Sequence, residues 1–129
     1  MTLLNYNVLI ADDNRTFANT LAMLIKNILG NKLGKLDFAL NGKEAIDMAF
    51  GETHYDIIFM DVHMPEMDGI EATQIINRIH YRSTRIVAVS FEKDMNSVTR
   101  MISAGAVNYL HKENITMETI ERLFGVNVL

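Results

Sequence analysis

Tyr55-Asp56-Ile57-Ile58-Phe59-Met60-Asp61-Val62-His63-Met64-Pro65-Glu66-Met67-Asp68-Gly69 is the stretch that decides the fold. Ile57 to Met60 form an unbroken apolar run, the pattern of a parallel strand covered on both faces. Asp61 follows at once, where the chain leaves the sheet. Pro65, the only proline, fixes the turn beyond it. Asp68 is placed to cap a helix, with Glu71 three residues on to complete a capping box. A carboxylate at the carboxyl end of a parallel strand lies where open α/β sheets place their chemistry. Taken alone, Asp61 reads equally well as a plain turn residue. The other strand ends decide between the two.

Working outward, Asn7 to Ala11 is a first buried strand with Asp12-Asp13-Asn14 directly after it. Apolar spacing predicts a helix from Arg15 to Leu29, with Phe17, Leu21, Leu24 and Ile28 on one face. A second strand falls near Leu36 to Leu40, and Asn41-Gly42 signals a turn. A second helix follows from Lys43 to Phe50, burying Ala45, Ile46, Ala49 and Phe50. Beyond Asp61, a third helix covers Gly69 to His80 with Ala72, Ile75, Ile76 and Ile79 inward. Arg85 to Ser90 is a fourth strand ending in a hydroxyl. A fourth helix spans Asp94 to Ser103, with Met95, Val98, Met101 and Ile102 sharing a face. A short fifth strand, Val107 to Leu110, leads into His111-Lys112, and a fifth helix runs from Thr116 to Phe124. Strands alternating with helices imply a doubly wound parallel sheet, and right-handed crossovers then bring every strand end to one edge. Asp12, Asp13, Asp61, Ser90 and Lys112 all fall at such ends.

Composition bounds what this edge can do. The 129 residues suffice for one domain with a real core, and that single domain is expected to span residues 1–129. No apolar run reaches the length of a membrane span, and the N-terminus lacks a signal-peptide pattern. With zero cysteines there is no thiolate metal site, and a cytoplasmic location is the default. The net charge of −4 argues against direct nucleic-acid binding, which needs a basic patch. His54, His80 and His111 have no paired ligand spacing, and the nine methionines read mostly as core filler. Three clustered carboxylates repel unless a cation sits among them, and oxygen ligands favour a hard ion such as magnesium. Lys112 offers a compact positive charge for a phosphoryl oxygen, and Ser90 a neutral hydroxyl. Asp61, central among them, is placed to act as a carboxylate nucleophile toward phosphorus.

Together these marks resemble the receiver domain of two-component response regulators, over nearly the whole chain. They are the pair Asp12-Asp13, the turn Asp61-Val62-His63-Met64-Pro65 with Met67-Asp68-Gly69, the strand-end Ser90, and Gly105-Ala106 with Tyr109-Leu110-His111-Lys112. The resemblance implies a flavodoxin-like fold, a five-stranded parallel sheet of order 2-1-3-4-5 with five helices. It makes Asp61 the phosphoacceptor for a histidine kinase or phosphotransfer protein. Asp13, Asp61 and the His63 carbonyl would bind Mg2+ directly, and Asp12 through water. Lys112 would pair with the phosphoryl group, while Ser90 and Tyr109 would be switch residues. The surface of helix four, strand five and helix five would change on phosphorylation and is also where a homodimer would form. Such a domain is not a conventional enzyme, although it catalyses its own phosphorylation and slow dephosphorylation.

Two positions depart from the commonest receiver pattern. Phe91 stands where a small residue is usual after the switch hydroxyl, and Glu113 where a proline is usual after the lysine. With Met67-Asp68-Gly69-Ile70-Glu71-Ala72-Thr73, both are similar to the receivers that usually precede a helix-turn-helix domain and so regulate transcription. The chain is either a free-standing receiver or a piece of a longer regulator. Two other functions compete. A degenerate receiver would bind partners without phosphorylation, yet every phospho-site side chain is present. A magnesium-dependent phosphatase using Asp61 would need a second acid two residues on, where His63 stands.

Overall fold

The structure is a computed structural model that describes residues 5–80 and 83–125. Strand β1 (Tyr6–Ala11) is followed by helix α1 (Arg15–Leu29), β2 (Leu33–Ala39), α2 (Gly42–Ala49), β3 (Ile57–Asp61) and α3 (Gly69–His80). The order then continues through β4 (Arg85–Ser90), α4 (Met95–Ala104), β5 (Asn108–His111) and α5 (Met117–Phe124). All five strands pair in parallel, in the order β2-β1-β3-β4-β5. The doubly wound sheet inferred from the alternating pattern is therefore the observed one. Among the described residues no helix is long and apolar enough to cross a membrane.

The strand residues alternate between two cores, as a period of two requires. Leu9, Ala11, Ile58, Met60, Ile86 and Ala88 face α2, α3 and α4. Val8, Ile10, Ile57, Phe59, Val87 and Val89 face α1 and α5. Register then fixes the site. Ala11 pairs with Met60, Asp61 with Val89, and Ser90 with His111, so the strand ends lie level along one edge.

The helices begin on that same edge, and polar caps start them. Asn14 accepts from the Phe17 N–H, Asn41 from Glu44, Asp94 from Ser97, and Thr116 from Thr119. Asp68 accepts from the Glu71 N–H at 2.9 Å, as its spacing predicted. The return bond from a Glu71 carboxylate that a full capping box needs is absent from the hydrogen bonds of the described residues. Asn41 likewise proves to be a cap that leads straight into α2.

Four apolar side chains assigned to helix interiors are instead exposed. Phe50 is 43%, Ile79 68%, Met95 72% and Ile102 46% accessible. Phe50 stands just past the end of α2, while Ile79, Met95 and Ile102 lie within their helices. Met60 and Met101 are fully buried and Met48, Met64 and Met67 line the core margin, but Met23, Met95 and Met117 face solvent. Strand β2 starts at Leu33 and ends at Ala39, leaving Leu40 outside, because its pairing with β1 begins at Tyr6. The apolar tail beyond Gly125 lies outside the described residues.

The loop after β3 is packed tightly against the strand it leaves. The Gly69 N–H donates to the Val62 carbonyl at 2.8 Å, and a Cβ at Gly69 would collide with the Asp61 carbonyl. Backbone cannot give way as a flexible side chain does. Gly69→Ala should therefore lower stability by about 1–3 kcal/mol, as overpacking does. Urea unfolding followed by circular dichroism measures it, and an unchanged midpoint would show that the loop has room.

Candidate functional site

Asp12 immediately follows β1, Asp61 ends β3, Ser90 ends β4 and Lys112 immediately follows β5. Their side chains converge as the strand ends predicted. Lys112 Nζ lies 2.7 Å from Asp12 Oδ2 and 3.5 Å from Asp61 Oδ1, with the lysine side chain only 4% exposed. Asp12 Oδ2 makes no hydrogen bond of good geometry, so its short approach to Lys112 is an attraction of charges off the bonding direction. Asp13 stands at the surface beside them. A cavity of about 350 Å³ opens here, lined by Asp13, Asp61, His63, Ser90, Phe91 and Lys112 among others.

The acids crowd one another. Asp12, Asp13 and Asp61 each offer a carboxylate oxygen, all within 4.8 Å. Burial, and then the Asp12 charge, push the Asp61 carboxyl up to about 7, against the opposing pull of Lys112. One ammonium does not fully offset three carboxylates. A hard divalent cation fits both the donor set and the unbalanced charge.

Ser90 is buried, and its Oγ accepts the Glu92 N–H at 3.0 Å. The hydroxyl oxygen thus closes a turn that starts the β4–α4 loop, and its own O–H remains available to donate. The Tyr109 hydroxyl donates to the Glu92 carbonyl at 3.2 Å. Burial, first of all, raises the Tyr109 pKa. His63 is exposed, its Nε2 lying 3.6 Å from the Glu92 carboxylate. Glu92 thus joins Ser90, Tyr109 and His63, and sequence reasoning missed it. Only its place two residues after Ser90, where such a turn closes, could have pointed to it. Glu113 pairs with Lys93 at 3.2 Å, an exposed contact of little energetic weight.

The turn between Asp61 and α3 carries its own tension. Met67 N–H donates to the Pro65 carbonyl at 2.7 Å, closing a γ-turn around Glu66. Glu66 has φ 66°, the only positive value for a non-glycine among the described residues. A γ-turn of this hand is rare and strained.

The profile of the response regulator receiver domain matches residues 8–124. The chain belongs to this receiver family. It is 33% identical over 117 residues to "Hybrid signal transduction histidine kinase A" of Dictyostelium discoideum, covering 88% of this chain. The receiver spans only 5% of that kinase's length. Solved receivers share the fold. A response regulator from Burkholderia pseudomallei, solved with a phosphorylated aspartic acid, calcium ion and citrate, superposes with a TM-score of 0.77 at 24% identity. That match covers 96% of this chain and 68% of the other. The signal receiver domain of a DNA-binding response regulator from Colwellia psychrerythraea 34H superposes with a TM-score of 0.81 at 22% identity. It covers 94% of this chain and 99% of the other.

The raised Asp61 pKa has a stability consequence. In the unfolded chain an aspartate ionises near 3.9, but in the fold near 7. Between these values the folded state holds the extra proton, so stability falls as pH rises through this window. Asp61→Asn removes the charge. Without divalent cations, the variant should be about 1–3 kcal/mol more stable than wild type at pH 8, with the gap closing toward pH 5. Paired denaturation curves across that range measure it. Equal stability at pH 8 would mean the cluster is not strained by charge.

Proposed function

We propose that this receiver accepts a phosphoryl group on Asp61 from a histidine kinase or phosphotransfer protein. The observation that carries the reading is the Lys112 ammonium 3.5 Å from Asp61 within an acidic cluster whose Asp12 and Asp61 are buried. The phosphorylated aspartic acid in the Burkholderia pseudomallei regulator supports it. Asp61 attacks phosphorus through a carboxylate oxygen as the donor's bond to phosphorus breaks and the leaving group takes the electron pair. Lys112 moves its charge from Asp12 toward a phosphoryl oxygen, replacing one anionic partner by another. Asp13, Asp61 and the His63 carbonyl would hold Mg2+, with Asp12 acting through water. A bound cation would supply charge that offsets the phosphoryl oxygens and lets Asp61 stay ionised.

The switch runs through the hydrogen bond between Ser90 and Glu92. Ser90 Oγ now accepts from Glu92 N–H. Its O–H remains free to donate; movement of Oγ toward a phosphoryl oxygen draws it away from the Glu92 N–H, and the Glu92 carbonyl is what the Tyr109 hydroxyl holds. Loss of that anchor lets the ring turn inward. The surface of α4, β5 and α5 is thereby coupled to Asp61, and couplings of this kind are typically worth about 1–3 kcal/mol. On this reading the domain works in the cytoplasm as one folded unit, pairs with a second copy or a target through that face, and controls a helix-turn-helix output that regulates transcription.

Phosphorylation by a small phosphodonor with magnesium, followed by intact-protein mass spectrometry, tests the assignment. Wild type should gain one phosphoryl group and Asp61→Asn none. Asp13→Ala should lose the magnesium dependence. Equal gain in wild type and Asp61→Asn would refute the phosphoacceptor.

A further inference from the structure

We infer that Phe17 and Phe91 form an aromatic clamp that positions the Lys112 ammonium, a role that rests on the phosphoacceptor reading. Lys112 Nζ lies 4.5 Å from the centre of the Phe17 ring and 5.3 Å from that of the Phe91 ring. Both distances fall within the roughly 6 Å over which a cation is drawn to a ring face. The two rings come from separate elements. Phe17 sits in the first turn of α1, where Asn14 caps its N–H. Phe91 heads the β4–α4 loop, next to Ser90.

Each ring has a plainer role to weigh. Phe17 packs against the core on the α1 side, which accounts for an apolar residue there but not for an aromatic one. Phe91 has no such excuse. It is 55% exposed at the entrance to the cavity, where burial contributes little to keeping so large a ring.

The ammonium shows why the rings matter. Its side chain is 4% exposed, so water supplies little of its solvation. Asp12 and Asp61 lie 2.7 and 3.5 Å from it, and Asp12 Oδ2 makes no well-directed hydrogen bond to it. Ring faces supply the rest of its electrostatic environment without competing for its protons. A lysine on a flexible four-carbon stem is thus kept beside Asp61, with its N–H groups left for an incoming phosphoryl oxygen. The two jaws differ. Phe17 is tied to the core, whereas Phe91 belongs to the loop that Ser90 and Glu92 define, so a change in that loop reaches Lys112 directly. Phe17 and Phe91 are positioning residues, because they act through Lys112.

Lysine side-chain NMR combined with phosphorylation rates tests the clamp. Ring currents should move the Lys112 εCH2 protons upfield of the other lysines, with Lys112→Arg providing the assignment. Phe91→Leu keeps bulk but removes the π face. It should return the resonance toward the ordinary lysine position and slow phosphorylation by a small phosphodonor roughly 3- to 10-fold. Phe91→Tyr should restore both. Phe17→Leu should behave as Phe91→Leu does, and Phe91, being exposed, carries the test alone if the Phe17 variant fails to fold. An ordinary Lys112 resonance in wild type would overturn the clamp. So would a Leu variant that matches wild type in rate although the resonance has moved, because positioning would then have no effect. If wild type takes no phosphoryl group, the phosphoacceptor reading fails instead, and the resonance still decides whether the clamp exists.

Discussion

The buried Lys112 ammonium, 2.7 Å from Asp12 and 3.5 Å from Asp61, is the contact on which the acidic edge of the sheet depends. Carboxylates taken out of water at this spacing repel, and each also loses its hydration. Removing one partner of such a buried pair commonly costs about 3–5 kcal/mol, because the other charge is left uncompensated. Strand order makes the contact possible. With β1 beside β3, Asp12 falls next to Asp61; with β4 and β5 following, Ser90 and Lys112 close the row. Any other order would scatter these groups.

The same edge is also unfinished. One lysine facing Asp12, Asp13 and Asp61 leaves negative charge over, and burial together with that charge pushes Asp61 upward. Such a site favours whatever brings positive charge to it. Around it the β4–α4 loop hangs from a few polar contacts, with Glu92 at their centre: its N–H on Ser90, its carbonyl on Tyr109, its carboxylate toward His63. The first two are single hydrogen bonds worth about 0.5–1.5 kcal/mol each, and the third is an exposed contact at 3.6 Å. They are weak enough to exchange and sufficient to hold the loop until something competes for Ser90.

Most of this architecture was legible in the residue pattern, for identifiable reasons. The apolar run Ile57 to Met60 and the strand from Ile86 to Ser90 are buried, so burial and hydrophobicity coincide there. Helices α1 and α3 carry clear stripes and begin and end where the pattern placed them. The pattern failed where a helix is only partly covered: nothing in their spacing distinguishes buried Met101 from exposed Met95 and Ile102. At the site, the acids and Lys112 were readable because their chemistry is carried by residue type. Glu92 and Phe17 were not, since their roles come from contacts across the fold. Ser90 was found, but its acceptance of the Glu92 N–H depends on a backbone turn that residue type does not encode.

A crystal structure with magnesium and beryllofluoride bound at Asp61 tests the central exchange most directly. The account predicts that Lys112 Nζ leaves Asp12 for a fluorine atom, and that Ser90 Oγ turns to the same group and releases the Glu92 N–H. A bound form in which Lys112 still rests on Asp12 and Ser90 still accepts from Glu92 would contradict it.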